Sequence, residues 1–258
     1  DSVKNIEEIN LLSEIEKNIY FLNEASAVQT PFIIIASIII MLAIIFRFIK
    51  LPNIIRNIEN SGYKNALKNK SLFLGALGIF FYVGAEVAIG SYLVNYFIDM
   101  EIQIIIQSKE WMRNIANKLL NTNIEMVDKK AVLGSFVTFY WSGAMIGRFI
   151  GSYLTKKYRP EKVLSFFAVS VLILITVSMN STGLIAMWSI LAVGLFNSIM
   201  FPTIFTLSIK DCNEYTPQAS GILCTMIVGG AIIPPLYGFF TDIAGFKIAM
   251  TLLLICYG

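Results

Sequence analysis

The stretch FFYVGAEVAIGSYLVNYF, residues 80–97, is apolar enough to be a membrane span, yet Glu86 sits near its middle. Such a run is long enough to cross most of a hydrocarbon layer as a helix. A charged side chain at the centre of a spanning helix costs roughly 2.5–3.5 kcal/mol on insertion scales. A lipid-facing carboxylate is therefore unfavourable, and the segment has to border protein or water. On a 3.6-residue helix Tyr82, Glu86, Ile89, Leu93 and Tyr96 share one face, while Gly84, Ala88, Ser91 and Asn95 share the face nearly opposite. The span reads as polar on two sides, as an interior or cavity-lining helix does.

The rest of the chain carries the same signal. Its 258 residues are 56% hydrophobic and 14% charged, against about 25% charged in ordinary soluble domains. The composition is that of an integral membrane protein. A net charge of +3 without any basic block gives no support to a nucleic-acid partner. Cys212, Cys224 and Cys256 lie far apart, form no CxxC pair and imply neither a disulfide framework nor a zinc site. The absence of histidine excludes histidine-based triads, metal sites and proton relays, leaving carboxylates first for any proton chemistry. No glycine loop for phosphate, GxSxG or HExxH motif, or catalytic carboxylate pair is present, and no enzyme, metal site or cofactor is expected.

Seven apolar segments follow in order: 31–49, 72–98, 131–154, 163–179, 183–209, 220–240, and a last one from Phe246 that is cut short. Backbone polar groups in lipid must be satisfied within their own segment, so these are helices and the fold is an all-α bundle. Lysine and arginine set the orientation. Arg47, Lys50, Arg56, Lys64, Lys68 and Lys70 follow the first span, and Lys156, Lys157, Arg159 and Lys162 follow the third. Residues 1–30 hold two lysines against six acids, and 99–130 hold five bases and five acids. The reading places 1–30 and the loop 99–130 outside, the span 31–49 across the membrane, and the loop 50–70 in the cytoplasm. Residues 71–258 form the main transmembrane domain. The chain opens on Asp1 and closes inside an apolar run, which reads as a fragment of a longer protein. Within the outer loop, EIQIIIQSKEWMRNIANKLL (101–120) has helix-like apolar spacing and is expected to lie along the outer surface; an irregular loop is the alternative.

Several positions are candidates for chemistry. Glu86, with Tyr82 one turn away, reads as a hydrogen-bond acceptor for a polar substrate or a proton-binding site, or else as a protonated carboxyl fastening two helices. In the fifth span, GLIAMWSILAVGLFNSIMFPTIFTLSI, Asn197 and Trp188 offer an amide and an aromatic plate, the pair that suits sugar hydroxyls and a sugar ring face. Their alternatives are interhelical attachment for Asn197 and a core or lipid-facing position for Trp188. Pro202 leaves a carbonyl in the preceding turn unpaired and favours a kink. Gly229, Gly230, Pro234, Pro235 and Gly238 in the sixth span are expected to interrupt regular helix and allow close backbone approach. Gly143, Gly147 and Gly151 form a ridge at spacing four for tight helix packing. Arg148 and Asp242 read as helix-end residues.

Four long motifs, in order, carry a resemblance: YVGAEVAIGSYLVNYF (82–97), GRFIGSYLTKKYRPEKVL (147–164), FNSIMFPTIFTLSIKD (196–211) and SGILCTMIVGGAIIPPLYGFFTD (220–242). Together with VQTPF (28–32) and KLPNI (50–54), they resemble the sugar permeases of the major facilitator superfamily, in the branch of the L-fucose permease and the bacterial glucose/galactose transporters. The resemblance implies a twelve-helix protein of which this chain holds the sixth helix and most of the C-terminal six-helix domain, the N-terminal six-helix domain being absent. It implies hexose import by alternating access in the bacterial inner membrane, coupled to a proton or, in some members, to sodium. The monosaccharide would bind between the two domains near Glu86, Tyr82, Asn95, Asn197 and Trp188. Glutamate at position 86 fits the glucose/galactose side of the branch, where the fucose permease has glutamine. A membrane sugar sensor, or a transporter of another monosaccharide, is the alternative.

Overall fold

The computed structural model describes residues 13–48, 62–212 and 215–258 of the chain. The expectations for residues 1–12 and for the part of the cytoplasmic loop at 49–61 lie outside the described residues. Two compact units are distinguished, Asp1–Ile58 and Glu59–Gly258.

The described part of the first unit is one helix, α1 (Glu14–Phe48). It begins earlier than the expected span because Ser13 and Glu16 form a reciprocal cap, Ser13 N donating to Glu16 Oε2 at 3.0 Å and Glu16 N to Ser13 Oγ at 3.4 Å. Its stretch long and apolar enough to cross a membrane is Gln29–Phe48, close to the 31–49 expected, and Pro31 is carried inside the helix.

The described residues of the second unit form helices joined by short turns. The short α2 (Gly62–Ala66) precedes α3 (Lys70–Asp99), whose start is capped by Asn69 accepting from Ser71 N and Leu72 N. On the expected outer side follow α4 (Ile102–Ser108), α5 (Glu110–Leu120) and a 3₁₀ turn at Ile124–Met126. Then come α6 (Lys129–Lys157), capped by Asp128, and α7 (Pro160–Asn180), which starts on proline. The bundle is completed by α8 (Gly183–Asn197), α9 (Met200–Ile209), α10 (Thr216–Thr225), a 3₁₀ turn at Met226–Val228, and α11 (Gly229–Tyr257). Five stretches of the described residues are long and apolar enough to span, the last being Thr216–Tyr257. Gly245, at φ 81°, divides that last stretch, which gives the sixth and seventh segments read from the sequence. The third expected span is α6, a helix of 29 residues that is less apolar because it is rich in glycine, serine and tyrosine and carries Arg148.

The 101–120 segment is helical, as its spacing predicts. Ile102 and Ile106 of α4 and Met112 and Ala116 of α5 are fully buried. These helices pack on α6, and α4 also meets α8, near whose first residue Ile105 lies.

Small residues set how closely the long helices approach. A Cβ at Gly147 of α6 would run into the Leu195 carbonyl, one at Gly151 into Ile199, and one at Gly194 of α8 into the Tyr140 carbonyl. Gly143 completes the ridge, its Cβ position 3.4 Å from Leu195 N. The ridge at spacing four is therefore the α6–α8 seam. A second seam joins α3 to α11: Gly84 faces Ile233 and the Gly229 carbonyl, Gly229 faces the Phe80 carbonyl, Gly230 lies against Val83 and Val87, and Gly238 lies against the Tyr92 hydroxyl. This corrects two expectations. Gly84 and Ala88 are buried packing positions rather than a second polar face of α3. The run through Gly229, Gly230, Pro234, Pro235 and Gly238 stays helical; the irregular backbone is the 3₁₀ turn just before it, because the glycines are used for contact with α3.

Gly147→Leu places a branched side chain against backbone that cannot retreat. The expected result is a loss of about 1–3 kcal/mol or more, seen as a lower melting temperature and reduced monodispersity in detergent. An unchanged melting temperature would contradict the seam.

Candidate functional site

The interruption between α8 and α9 organises the candidate site. Pro202 has no N–H to offer the carbonyl of Ser198 four residues earlier, so the helix breaks at Ser198–Ile199, as the sequence suggested. The break leaves the Asn197 carbonyl to accept from outside its helix, and it accepts from the Tyr82 hydroxyl of α3 at 3.0 Å. The same hydroxyl lies 2.7 Å from Glu86 Oε2, one turn along α3. Asn197 is fully buried and its amide is used at both ends: Nδ2 donates to the Tyr140 hydroxyl of α6 at 2.9 Å, and Oδ1 accepts from the Tyr257 hydroxyl of α11 at 2.9 Å. Four helices thus meet at one asparagine, and Tyr82 and Tyr257 also pack edge to face at 6.3 Å.

Beside this network opens a cavity of about 880 Å³, within the 300–1,000 Å³ common for ligand sites. Tyr82 and Glu86 stand at one part of it, Arg148, Ser152 and Thr155 line it from α6, and Phe201, Thr203 and Thr206 line it from α9. Arg148, Ser152 and Thr155 fall on one face of their helix at spacings of four and three. Glu86 and Arg148 share the space without forming an ion pair among the described residues. The wall therefore offers an acceptor, a cation, several hydroxyls and an apolar ring, a set suited to a small polyhydroxylated molecule. Among the described residues no group of three or more His, Cys, Asp or Glu is assembled for a metal.

The structure places the sequence candidates as follows. Tyr82, Glu86 and Asn197 come together in the network, with Tyr82 and Glu86 also on the cavity wall. Arg148 joins them there. It was read as a helix-end residue, but α6 runs on to Lys157, which leaves Arg148 nine positions inside the helix and facing the cavity. Asn95 is exposed, nine residues beyond Glu86, which is about 13 Å along the helix and on its opposite side. Trp188 is partly buried, packed edge-on to Phe139 at 5.3 Å, and does not line the cavity. Asp242 is exposed, three residues before the Gly245 break. Tyr140, Tyr257 and Phe201 were not singled out from the sequence. The available signal was tyrosine inside apolar runs, since a buried phenol needs a partner.

No family model matches the chain. It is 40% identical over 237 residues to a glucose/galactose transporter of Brucella abortus, an alignment that covers 91% of this chain and 52% of that protein. A putative glucose/galactose transporter of Helicobacter pylori is 38% identical over 242 residues, covering 92% of this chain and 53% of that one. An L-fucose-proton symporter of Escherichia coli is 28% identical over 232 residues, covering 85% and 46%. The chain spans about half the length of these curated relatives. In structure it superposes on FucP, a major facilitator superfamily transporter crystallised in the outward conformation, with a TM-score of 0.72 and 24% identity over 99% of this chain and 58% of that one.

Asn197→Ala removes the amide that joins two phenols. The expected cost is about 1–3 kcal/mol of stability from groups left without partners, read as a lowered melting temperature in detergent. A variant as stable as the parent would show that the asparagine is not what joins the helices.

By sequence the chain is similar to bacterial glucose/galactose transporters and, more distantly, to an L-fucose-proton symporter, and its helical fold is the one seen in FucP.

Proposed function

We propose that the chain forms the C-terminal half of a monosaccharide importer and that sugar binds in the cavity at Glu86, at the face where a second six-helix domain completes the site. The observation that carries this reading is the cavity itself. It combines Glu86, Tyr82 and Arg148 with a row of hydroxyls and the Phe201 ring, in a bundle whose core is mostly apolar. A carboxylate accepts hydrogen bonds from two neighbouring hydroxyls and a guanidinium donates to sugar oxygens, while Phe201 offers an apolar surface to the C–H face of a pyranose.

A hexose such as glucose or galactose is the proposed cargo, since the relatives at 38–40% identity carry that name and the one at 28% is named for fucose. Uptake would proceed by alternating access in the bacterial inner membrane, coupled to a proton as in the relative named a fucose-proton symporter. No cofactor is required in this reading, and the coupling ion is the proton. Within the site, Glu86 and Tyr82 contact the sugar and Arg148 supplies a counter-charge across the cavity. Asn197 holds the wall in place instead of touching the substrate.

The test uses the complete transporter in liposomes, measuring labelled glucose uptake under an inward proton gradient without sodium, with galactose and fucose as competitors. Accumulation abolished by a protonophore is the expected result. Sodium-dependent accumulation would replace the proton by sodium, and binding without accumulation would favour a sensor. Glu86→Gln is expected to weaken hexose binding roughly ten- to hundredfold, as loss of hydrogen bonds to a charged acceptor does. Binding at parental affinity would remove Glu86 from the site.

A further inference from the structure

The Tyr82 hydroxyl has one proton and two neighbours that both call for one. Its oxygen lies 2.7 Å from Glu86 Oε2 and 3.0 Å from the Asn197 carbonyl oxygen, both within the range of O–H···O hydrogen bonds. A backbone carbonyl can only accept, and an ionised carboxylate can only accept. Two hydrogen bonds across these three oxygens need two protons. The phenol brings one, so both bonds are made at once only when Glu86 carries the second. When Glu86 is protonated, its O–H donates to Tyr82 and Tyr82 donates to Asn197. When Glu86 is ionised, the phenol turns to the carboxylate, the stronger acceptor, and the Asn197 carbonyl loses its donor.

That carbonyl belongs to the last residue of α8, at the break that Pro202 imposes before α9. The groups facing Glu86 are Tyr82 on its own helix, Tyr140 and Arg148 on α6 and Tyr257 on α11. The α8–α9 segment brings Ser198, Thr203 and the Asn197 carbonyl, none of which titrates, and the 3₁₀ turn brings Ile227. Tyr140 and Tyr257 are both engaged with the Asn197 amide. Tyr82 is thus the one phenol bonded both to the carboxyl and to the break.

We propose that Tyr82 is a positioning residue that reports the proton on Glu86 to the α8–α9 break. A proton on Glu86 closes the link between α3 and the end of α8, and its loss opens that link. The link is therefore made at low pH and lost as pH rises. This rests on the reading of the Glu86 cavity as a proton-coupled sugar site and adds how the wall senses the proton. Because α9 carries Phe201, Thr203 and Thr206 into the cavity, the state of the link governs how firmly half of the sugar wall is held.

The test is amide hydrogen exchange in the sugar-free complete transporter, in lipid nanodiscs, over residues 199–203, with each rate divided by the intrinsic rate at that pH. The parent is expected to exchange there faster at high pH than at low pH, by about two- to tenfold for one net hydrogen bond. Tyr82→Phe should be fast at both pH values. Glu86→Gln, whose side-chain N–H₂ replaces the carboxyl proton as donor to Tyr82, should be slow at both. A parent without a pH response in this segment overturns the proposal, and so does a Tyr82→Phe variant that keeps one. If Tyr82→Phe does not fold, a pH response surviving in Glu86→Gln overturns it alone. Hexose binding measured on the same samples separates the two readings: a parent that binds no hexose but shows the exchange response refutes the sugar site and leaves the switch standing.

Discussion

In an apolar bundle buried polar groups call for partners, and this fold gathers three buried phenols at one residue. Asn197 receives or gives hydrogen bonds to tyrosines from three other helices, through both ends of its amide and through its backbone carbonyl. Each bond is ordinary, at about 0.5–1.5 kcal/mol net. Together they specify which helices adjoin and at what height, information that dispersion contacts between leucines and isoleucines supply poorly. The glycine seams make the arrangement reachable. Tyr140 meets Asn197 because Gly147 and Gly194 let α6 and α8 approach to backbone contact. The carbonyl is available because α8 ends at Asn197, at the break that Pro202 imposes four residues after Ser198.

The features legible in the sequence were those set by local pattern. The long helices, the glycine ridge on α6, the kink before Pro202 and the helical 101–120 segment all follow from length, spacing or a missing N–H, and each is found. The turn Tyr82–Glu86 was legible because a carboxylate inside an apolar run is costly without a purpose. What the pattern concealed depended on the partner helix. Gly84 and Ala88 are small enough to mimic a polar face, and only the presence of α11 makes them a seam. Arg148 looked terminal because hydropathy fades toward the end of α6, although the helix continues past it. Tyr257 lies 60 positions from Asn197, and no local periodicity connects them.

The cavity draws its walls from elements with unequal support. The face from α6 is part of a glycine-sealed pair, whereas the face from α9 follows a break and is tied across it by the hydroxyl of Tyr82. A ligand bridging both faces would touch one rigid wall and one adjustable wall. Such asymmetry lets recognition and movement share one site without loosening the whole bundle.

The packing of α4 and α5 on the bundle bears on the energetics of ligand entry. Their buried residues Ile102, Ile106, Met112 and Ala116 show that this stretch between two long helices is folded onto the bundle. A lid that orders only when cargo arrives draws the entropy of that ordering, on the order of 1–2 kcal/mol per residue of backbone, from the affinity for the cargo. Here that cost is met once, when the chain folds, so a ligand reaching the bundle would not have to order this segment.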